Sequence, residues 1–142
     1  MIEIGLKTLE WLTAVQKAPD GYFSPIGTNG FWPRNGVRAC FDQQPIDAYA
    51  TISACLTALR ITKEKIWASE TAIAFNWFLG ANHLGAPVYD PVTGGCRDGL
   101  HQDRMNENQG AESTLAFLMS VAELERAGMI HVSRSESSNL RS

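Results

Sequence analysis

Apolar residues recur at helical spacing in four stretches of the chain, and glycine or proline punctuates each of them. Ile2, Leu6, Leu9, Leu12 and Val15 mark a first helix over about 2–17, ended by Pro19-Asp20-Gly21. A second begins at Pro45, whose missing N–H suits a first helical turn, and continues without glycine or proline to about Ile61. Thr62 is placed to cap a third through its hydroxyl. That helix carries Ile66, Trp67, Ile73, Ala74, Trp77 and Phe78 and stops at Gly80. A fourth spans Ala111 to about Ala127 and closes at Gly128.

Two long segments, about 18–44 and 80–109, separate these helices. The first holds Tyr22, Phe23, Phe31, Trp32 and Phe41, and the second runs through Pro87, Pro91 and Gly94-Gly95 to Asn106-Glu107-Asn108-Gln109. Loops of this length are uncommon in a compact domain unless they are functional. Antiparallel packing puts both at one rim, together with the N-termini of the second and fourth helices, while the short connection between the second and third lies opposite. The pattern predicts an all-α fold of two stacked antiparallel helical hairpins, first and third helices in one layer, second and fourth in the other. The domain is expected over 1–130, with a serine-rich, charged tail over 131–142 expected to be disordered.

The net charge of −3 leaves no basic field to hold a phosphate backbone, so nucleic acid is not an expected partner. Glu3, Lys7 and Glu10 spoil a signal-peptide reading, and no apolar run approaches the ~20 residues that span a bilayer. A cytoplasmic protein without a membrane partner is expected. Cys40, Cys55 and Cys96 are odd in number, widely spaced and without a CxxC, which argues against a disulfide framework or a zinc site and leaves Cys55 as a small core residue.

An internal repeat locates the candidate chemistry. Asp42-Gln43-Gln44-Pro45-Ile46-Asp47-Ala48 parallels Glu107-Asn108-Gln109-Gly110-Ala111-Glu112-Ser113 by residue class at an offset of 65 residues, and Trp11 and Trp77 align at nearly the same offset. Each unit reads as helix, long loop, helix. Free N–H groups at two helix N-termini are thus ringed by Asp42, Gln43, Gln44 and Asp47 on one side and Glu107, Asn108, Gln109 and Glu112 on the other. Such groups suit sugar hydroxyls, which need donors and acceptors together. Phe31, Trp32 and Tyr89 offer apolar platforms for a pyranose face.

Asp47 and Glu112 are expected at the third helical position, where a carboxylate also caps; Asp42 and Glu107, outside the helices, are the better candidates for acid/base work. Arg97, Asp98 and His101 read as loop-ordering or ligand-contacting groups. No metal-ligand spacing occurs, so no metal or other cofactor is expected, and a Cys96–His101 nucleophile pair is disfavoured because such pairs usually come from separate elements. Trp11, Trp67 and Trp77, on helices, read as core. The two motifs are expected to converge on one pocket, with at least one of their carboxyl groups titrating upward or held by Arg38, Arg97 or backbone amides.

The segments Phe41-Asp42-Gln43-Gln44-Pro45-Ile46-Asp47-Ala48, Trp77-Phe78-Leu79-Gly80-Ala81-Asn82, Val88-Tyr89-Asp90-Pro91-Val92-Thr93-Gly94-Gly95-Cys96-Arg97-Asp98-Gly99-Leu100 and Asn108-Gln109-Gly110-Ala111-Glu112-Ser113-Thr114 resemble the C-terminal helical domain of a set of bacterial glycosyltransferases and related sugar-metabolism proteins. The resemblance covers about residues 5–127. It implies a partial α/α toroid of the six-hairpin kind found in glycosidases and sugar epimerases. It also marks Asp42, Gln43, Gln44, Asp47, Arg97, Asp98, Asn108, Gln109 and Glu112 as family-like polar positions. The chain has no GxGxxG, P-loop or βαβ alternation, so the nucleotide-sugar-binding transferase portion is not expected here.

Four helices are too few for a closed ring, so the chain is expected to be a fragment or to complete its core against the remainder of a toroid or a second copy of itself. The expected function is an accessory or glycan-recognition module with a carbohydrate ligand. The alternatives are a glycoside-processing domain using rim carboxylates as acid/base and a non-catalytic assembly domain.

Overall fold

Four helices form where the apolar periodicity places them. In the computed structural model, which describes residues 1–131, they are α1 (Ile2–Val15), α2 (Pro45–Thr62), α3 (Lys65–Phe78) and α4 (Ala111–Arg126). The expected disordered tail lies, apart from His131, outside the described residues.

A loop side chain, Arg38, and the last residue of α2, Thr62, set two of the helix ends. The Arg38 guanidinium donates to the carbonyls of Val15 (2.7 Å) and Ser24 (2.8 Å), closing α1 with a cation at its negative end. The chain then turns through Ala18–Gly21 so that Lys17 pairs with Phe23, and α1 ends two residues earlier than the periodicity suggests. Thr62 closes α2 rather than capping α3. Its hydroxyl donates to the Ala58 carbonyl (3.0 Å) and accepts from the Glu64 N–H (3.2 Å), while Lys63 at φ 63° reverses the chain.

The central helix is α2, which packs most extensively on α3, then on α4, and least on α1. Near their starts, Asp47 of α2 feels the charge of Glu112 of α4; near their ends, Leu59 and Lys63 share a cavity wall with Arg126 and Ala127. The two helices therefore run parallel from a common rim. Across α2, helices α1 and α3 flank a cavity of about 330 Å³ bridged by the 2.6 Å Lys17–Glu70 ion pair.

Ile52, Leu56, Ala74, Trp77, Phe78 and Phe117 form the core, and the second long loop adds Val88, Cys96 and Leu100. Phe117 meets Phe75, Phe78 and Tyr89 at ring-centroid distances of 6.2, 5.3 and 4.3 Å, so this loop supplies core side chains rather than lying over the surface.

The same loop carries the one departure from an all-α fold among the described residues. Strand β1 (Gly99–Leu100) pairs antiparallel with β2 (Met105–Asn106), with Gly99 opposite Asn106. Leu100 also exchanges both backbone hydrogen bonds with Gln43 (2.9 and 3.0 Å), which sews the two long loops together. Only glycine fits at 99, since a Cβ there would stand 2.1 Å from the Gln43 carbonyl oxygen. The fold is thus mostly helical with a small two-stranded sheet, and no described helix is long and apolar enough to cross a membrane.

Trp67 and Trp77 are buried as their helical positions predict, but Trp11 is 53% exposed and stacks on Trp32. Leu6 and Leu9 carry the inner face of α1, against Cys55, Ala58 and Trp67. Two residues beyond Leu9, Trp11 lies about 200° around the helix and faces away. The Trp11–Trp77 alignment therefore does not extend to burial. Cys55 is fully buried, as expected of a small core residue.

Candidate functional site

The rim is assembled around Asp42, a non-glycine residue in the left-handed region at φ 57°. Its carbonyl accepts from the N–H and the hydroxyl of Thr28, both at 3.1 Å. Its carboxylate accepts from Nδ1 of His101 at 2.5 Å. His83 Nε2 donates to the His101 carbonyl (2.7 Å), and the Phe41 ring stands edge-on to His83 at 5.4 Å. His101 is thus held by its ring and by its backbone. With Nδ1–H committed to Asp42, the neutral imidazole carries its lone pair on Nε2, the geometry of a carboxylate-oriented base drawn from two separate loops.

Gln43 is 2% exposed, and both ends of its amide are taken inside the protein. Nε2 donates to the Cys40 carbonyl and Oε1 accepts from Trp77 Nε1, each at 2.8 Å. Gln44, by contrast, is exposed at the N-cap of α2 and makes no side-chain capping bond.

Asp47 occupies the third position of α2, and its carboxylate accepts the Gln44 backbone N–H, the reach-back half of a capping box. Burial pushes this carboxyl up to about 6; the Gln44 bond opposes the shift, and the charge of Glu112 adds to it. The two motifs therefore come within electrostatic reach at Asp47 and Glu112. Glu112 stands at the second helical position, not the third, because Gly110 is the N-cap of α4 where the aligned Pro45 is already inside α2.

The remainder of the second motif ties its own loop down. Asp98 Oδ1 accepts the Gly110 N–H at 2.8 Å and the Asp98 N–H donates to the Asn108 carbonyl at 2.8 Å, so Asp98 braces the start of α4. Arg97 Nε donates to Glu107 at 2.6 Å and its Nη2 lies 3.6 Å from Asp90; the bond to Glu107 raises the guanidinium further. Asp90 is held below the usual carboxyl range, first by the Val92 N–H and then by Gln109, whose Oε1 also accepts from the Thr93 hydroxyl at 2.7 Å. Asn108 is exposed.

The structure thus brings together Asp42 with His101, and Asp47 with Glu112. Two expected platforms are engaged with other partners: the Tyr89 ring is stacked on Phe117, and Trp32 pairs with Trp11 while its Nε1 donates to the Gly36 carbonyl at 3.2 Å. Cys96 is fully buried, and burial pushes its thiol up to about 12, so it is no thiolate partner for His101. Sequence reasoning missed His83 and Thr28, whose contacts lie 18 and 14 residues away along the chain and leave no periodic trace. Neither a scan against protein-family models nor a search of curated proteins finds a match for this chain.

Proposed function

We propose that this chain is a carbohydrate-associated helical module, an accessory or glycan-recognition part of a bacterial glycosyltransferase-type protein, and that the rim shared by α2 and α4 contacts the glycan. The observation that carries this reading is the Asp47 carboxyl, pushed up to about 6 beside the exposed Glu112. A carboxyl that keeps its proton up to about pH 6 both donates and accepts there, and a sugar hydroxyl can relieve its crowding with a second carboxylate. Gln44 and Asn108, exposed on the same two motifs, supply amide donors and acceptors, and the Asp42–His101 pair borders them.

Calorimetric titration with linear manno- and gluco-oligosaccharides tests the proposal. Glu112→Ala should weaken binding about tenfold or more, the scale of one charged hydrogen bond, while leaving stability nearly unchanged because the side chain is exposed. Absence of heat with every sugar in the wild-type protein would sink it.

A second reading, an assembly unit of a partial α/α toroid, is favoured by a different feature. Ile2, Leu6, Leu9, Ala50, Ala54 and Ile61 line an open, largely apolar groove of about 560 Å³ between α1 and α2. A neighbouring helix, from the remainder of a ring or a second copy, would fill such a groove. Light-scattering mass across a concentration series separates the cases: a strict monomer that binds sugar leaves the first reading alone.

A further inference from the structure

Trp11 and Trp32 lie outside the rim set, and their arrangement has no role in the fold's core. Their rings are 5.6 Å apart and 13° from parallel, yet 53% and 38% exposed. Burying an indole is among the larger apolar gains available to a chain, and here two are left half in water, each covering part of the other. Trp32 is locked by its own loop. Its Nε1 donates to the Gly36 carbonyl, the Gly36 N–H returns to the Pro33 carbonyl at 2.9 Å, and Asn35 turns the chain at φ 63°. Trp11 is fixed by α1. The pair is therefore a preorganised aromatic ridge.

Two shallow depressions share this ridge. One, about 390 Å³, is lined by Trp11, Trp32, Pro33, Arg34, Asn35 and Gly36; the other, about 300 Å³, by Ile4, Lys7, Thr8 and Trp11. Each joins an indole to exposed polar side chains, Arg34 and Asn35 on one side, Lys7 and Thr8 on the other.

The surroundings narrow the occupant. The loop's backbone is internally paired, Gly27 to Ala39 and Ala39 to Phe31, so no strand edge is offered to a peptide. Lys7 is paired with Glu3 at 2.9 Å and the chain is net negative, which suits neither an anionic lipid surface nor a nucleic-acid strand. What remains is a flat π-face fringed by donors and acceptors, the complement of a pyranose ring with apolar C–H groups on its face and hydroxyls at its edge.

We propose that Trp11 and Trp32, with Arg34 and Asn35, form a second saccharide contact, an aromatic platform on which a ring of a glycan chain stacks apart from the carboxylate rim. The platform rests on the carbohydrate reading above and extends it to a chain-length ligand.

The test follows the indole N–H signals of Trp11, Trp32, Trp67 and Trp77 in two-dimensional ¹H–¹⁵N spectra, assigned by single substitutions. Mannohexaose, cellohexaose and maltohexaose are titrated one at a time. At least one should move the Trp11 and Trp32 signals, leave buried Trp67 and Trp77 in place, and still do so in Asp47→Asn. Trp11→Ala should weaken that response about tenfold and Trp11→Phe much less, with unchanged Trp67 and Trp77 signals certifying the fold.

Binding that depends on Glu112 but leaves Trp11 and Trp32 still overturns the platform and spares the rim. Movement at Trp11 and Trp32 with no effect of Glu112→Ala does the reverse. Silence with all three hexaoses overturns both. Movement only with anionic phosphatidylserine vesicles, or only on raising protein concentration, replaces the glycan by a membrane or by a second copy and overturns the proposal.

Discussion

Asp42–Ala48 and Glu107–Ser113 match class for class, yet their side chains do different jobs. In the first motif the residue before the N-cap turns inward: Gln43 is sealed between Trp77, Cys40 and Leu100 and joins the loops to the core. In the second, its counterpart Asn108 stays exposed, and Gln109, the counterpart of exposed Gln44, only links Thr93 to Asp90 within its own loop. The acids differ likewise. Asp47 is half-buried and shifted upward, whereas Glu112 is exposed one position earlier in its helix. A shared residue pattern thus specifies a helix start, while burial decides which copy carries a perturbed group.

The widest separation between the motifs is expected at Gln43 and its counterpart Asn108. Gln43→Ala removes the acceptor of buried Trp77 Nε1 and the donor to Cys40, so it should cost about 2–4 kcal/mol, as loss of a buried hydrogen-bonded group does. Asn108→Ala should stay within about 0.5 kcal/mol, the range for exposed positions. Urea melts of the two variants read the difference directly, and equal losses would mean that the motifs are energetically equivalent after all.

A smaller contrast is expected in pH dependence. Folding favours the neutral form of Asp47, because its carboxyl rises from an ordinary 3.8 to about 6 in the folded protein. Between those values the folded chain holds a proton that the unfolded chain has released. Asp47's contribution to stability is therefore greatest below about pH 4, falls as pH rises to about 6, and is level above that. Solvent contact at the half-buried carboxyl reduces the full linkage value to about 1–2 kcal/mol. Asp47→Asn keeps an acceptor for the Gln44 N–H but cannot ionise. It should flatten this slope and stabilise the protein by about the same amount at pH 7.5. A variant whose stability tracks the wild type from pH 4 to 7.5 would show that Asp47 is no more buried than Glu112.

The helices were legible because local signals agree: Pro45 opens α2, Gly128 follows α4, and the apolar spacing between such punctuation is helical throughout. The shared rim was legible too, since it follows from two long loops and one short turn. Non-local partnerships were not. Nothing near Gln43 announces Trp77, 34 residues on, and nothing near Asp42 announces His101, 59 residues on. Two-residue strands are too short to show a period of two, so β1 and β2 were read as loop. Trp11 was misassigned because an aromatic at helical spacing is usually core, and only its angle relative to Leu6 and Leu9 puts it with Trp32.

The smallest effect should come from the shortest contact of the second motif. Arg97 and Glu107 meet at 2.6 Å, but the Glu107 side chain is 73% exposed. An exposed pair gains little over water, loses side-chain entropy, and is screened by salt. Glu107→Gln should therefore change stability by less than about 0.5 kcal/mol, and even that difference should fade in 1 M salt. Arg97 retains Asp90 as a neighbour, so its guanidinium is not left unpaired when the glutamate goes. A urea series at low and high salt checks both statements. If Glu107→Gln instead cost more than about 1.5 kcal/mol regardless of salt, Glu107 would be holding the loop that positions Asp98 at the start of α4. The second motif would then be as deeply built into the fold as the first.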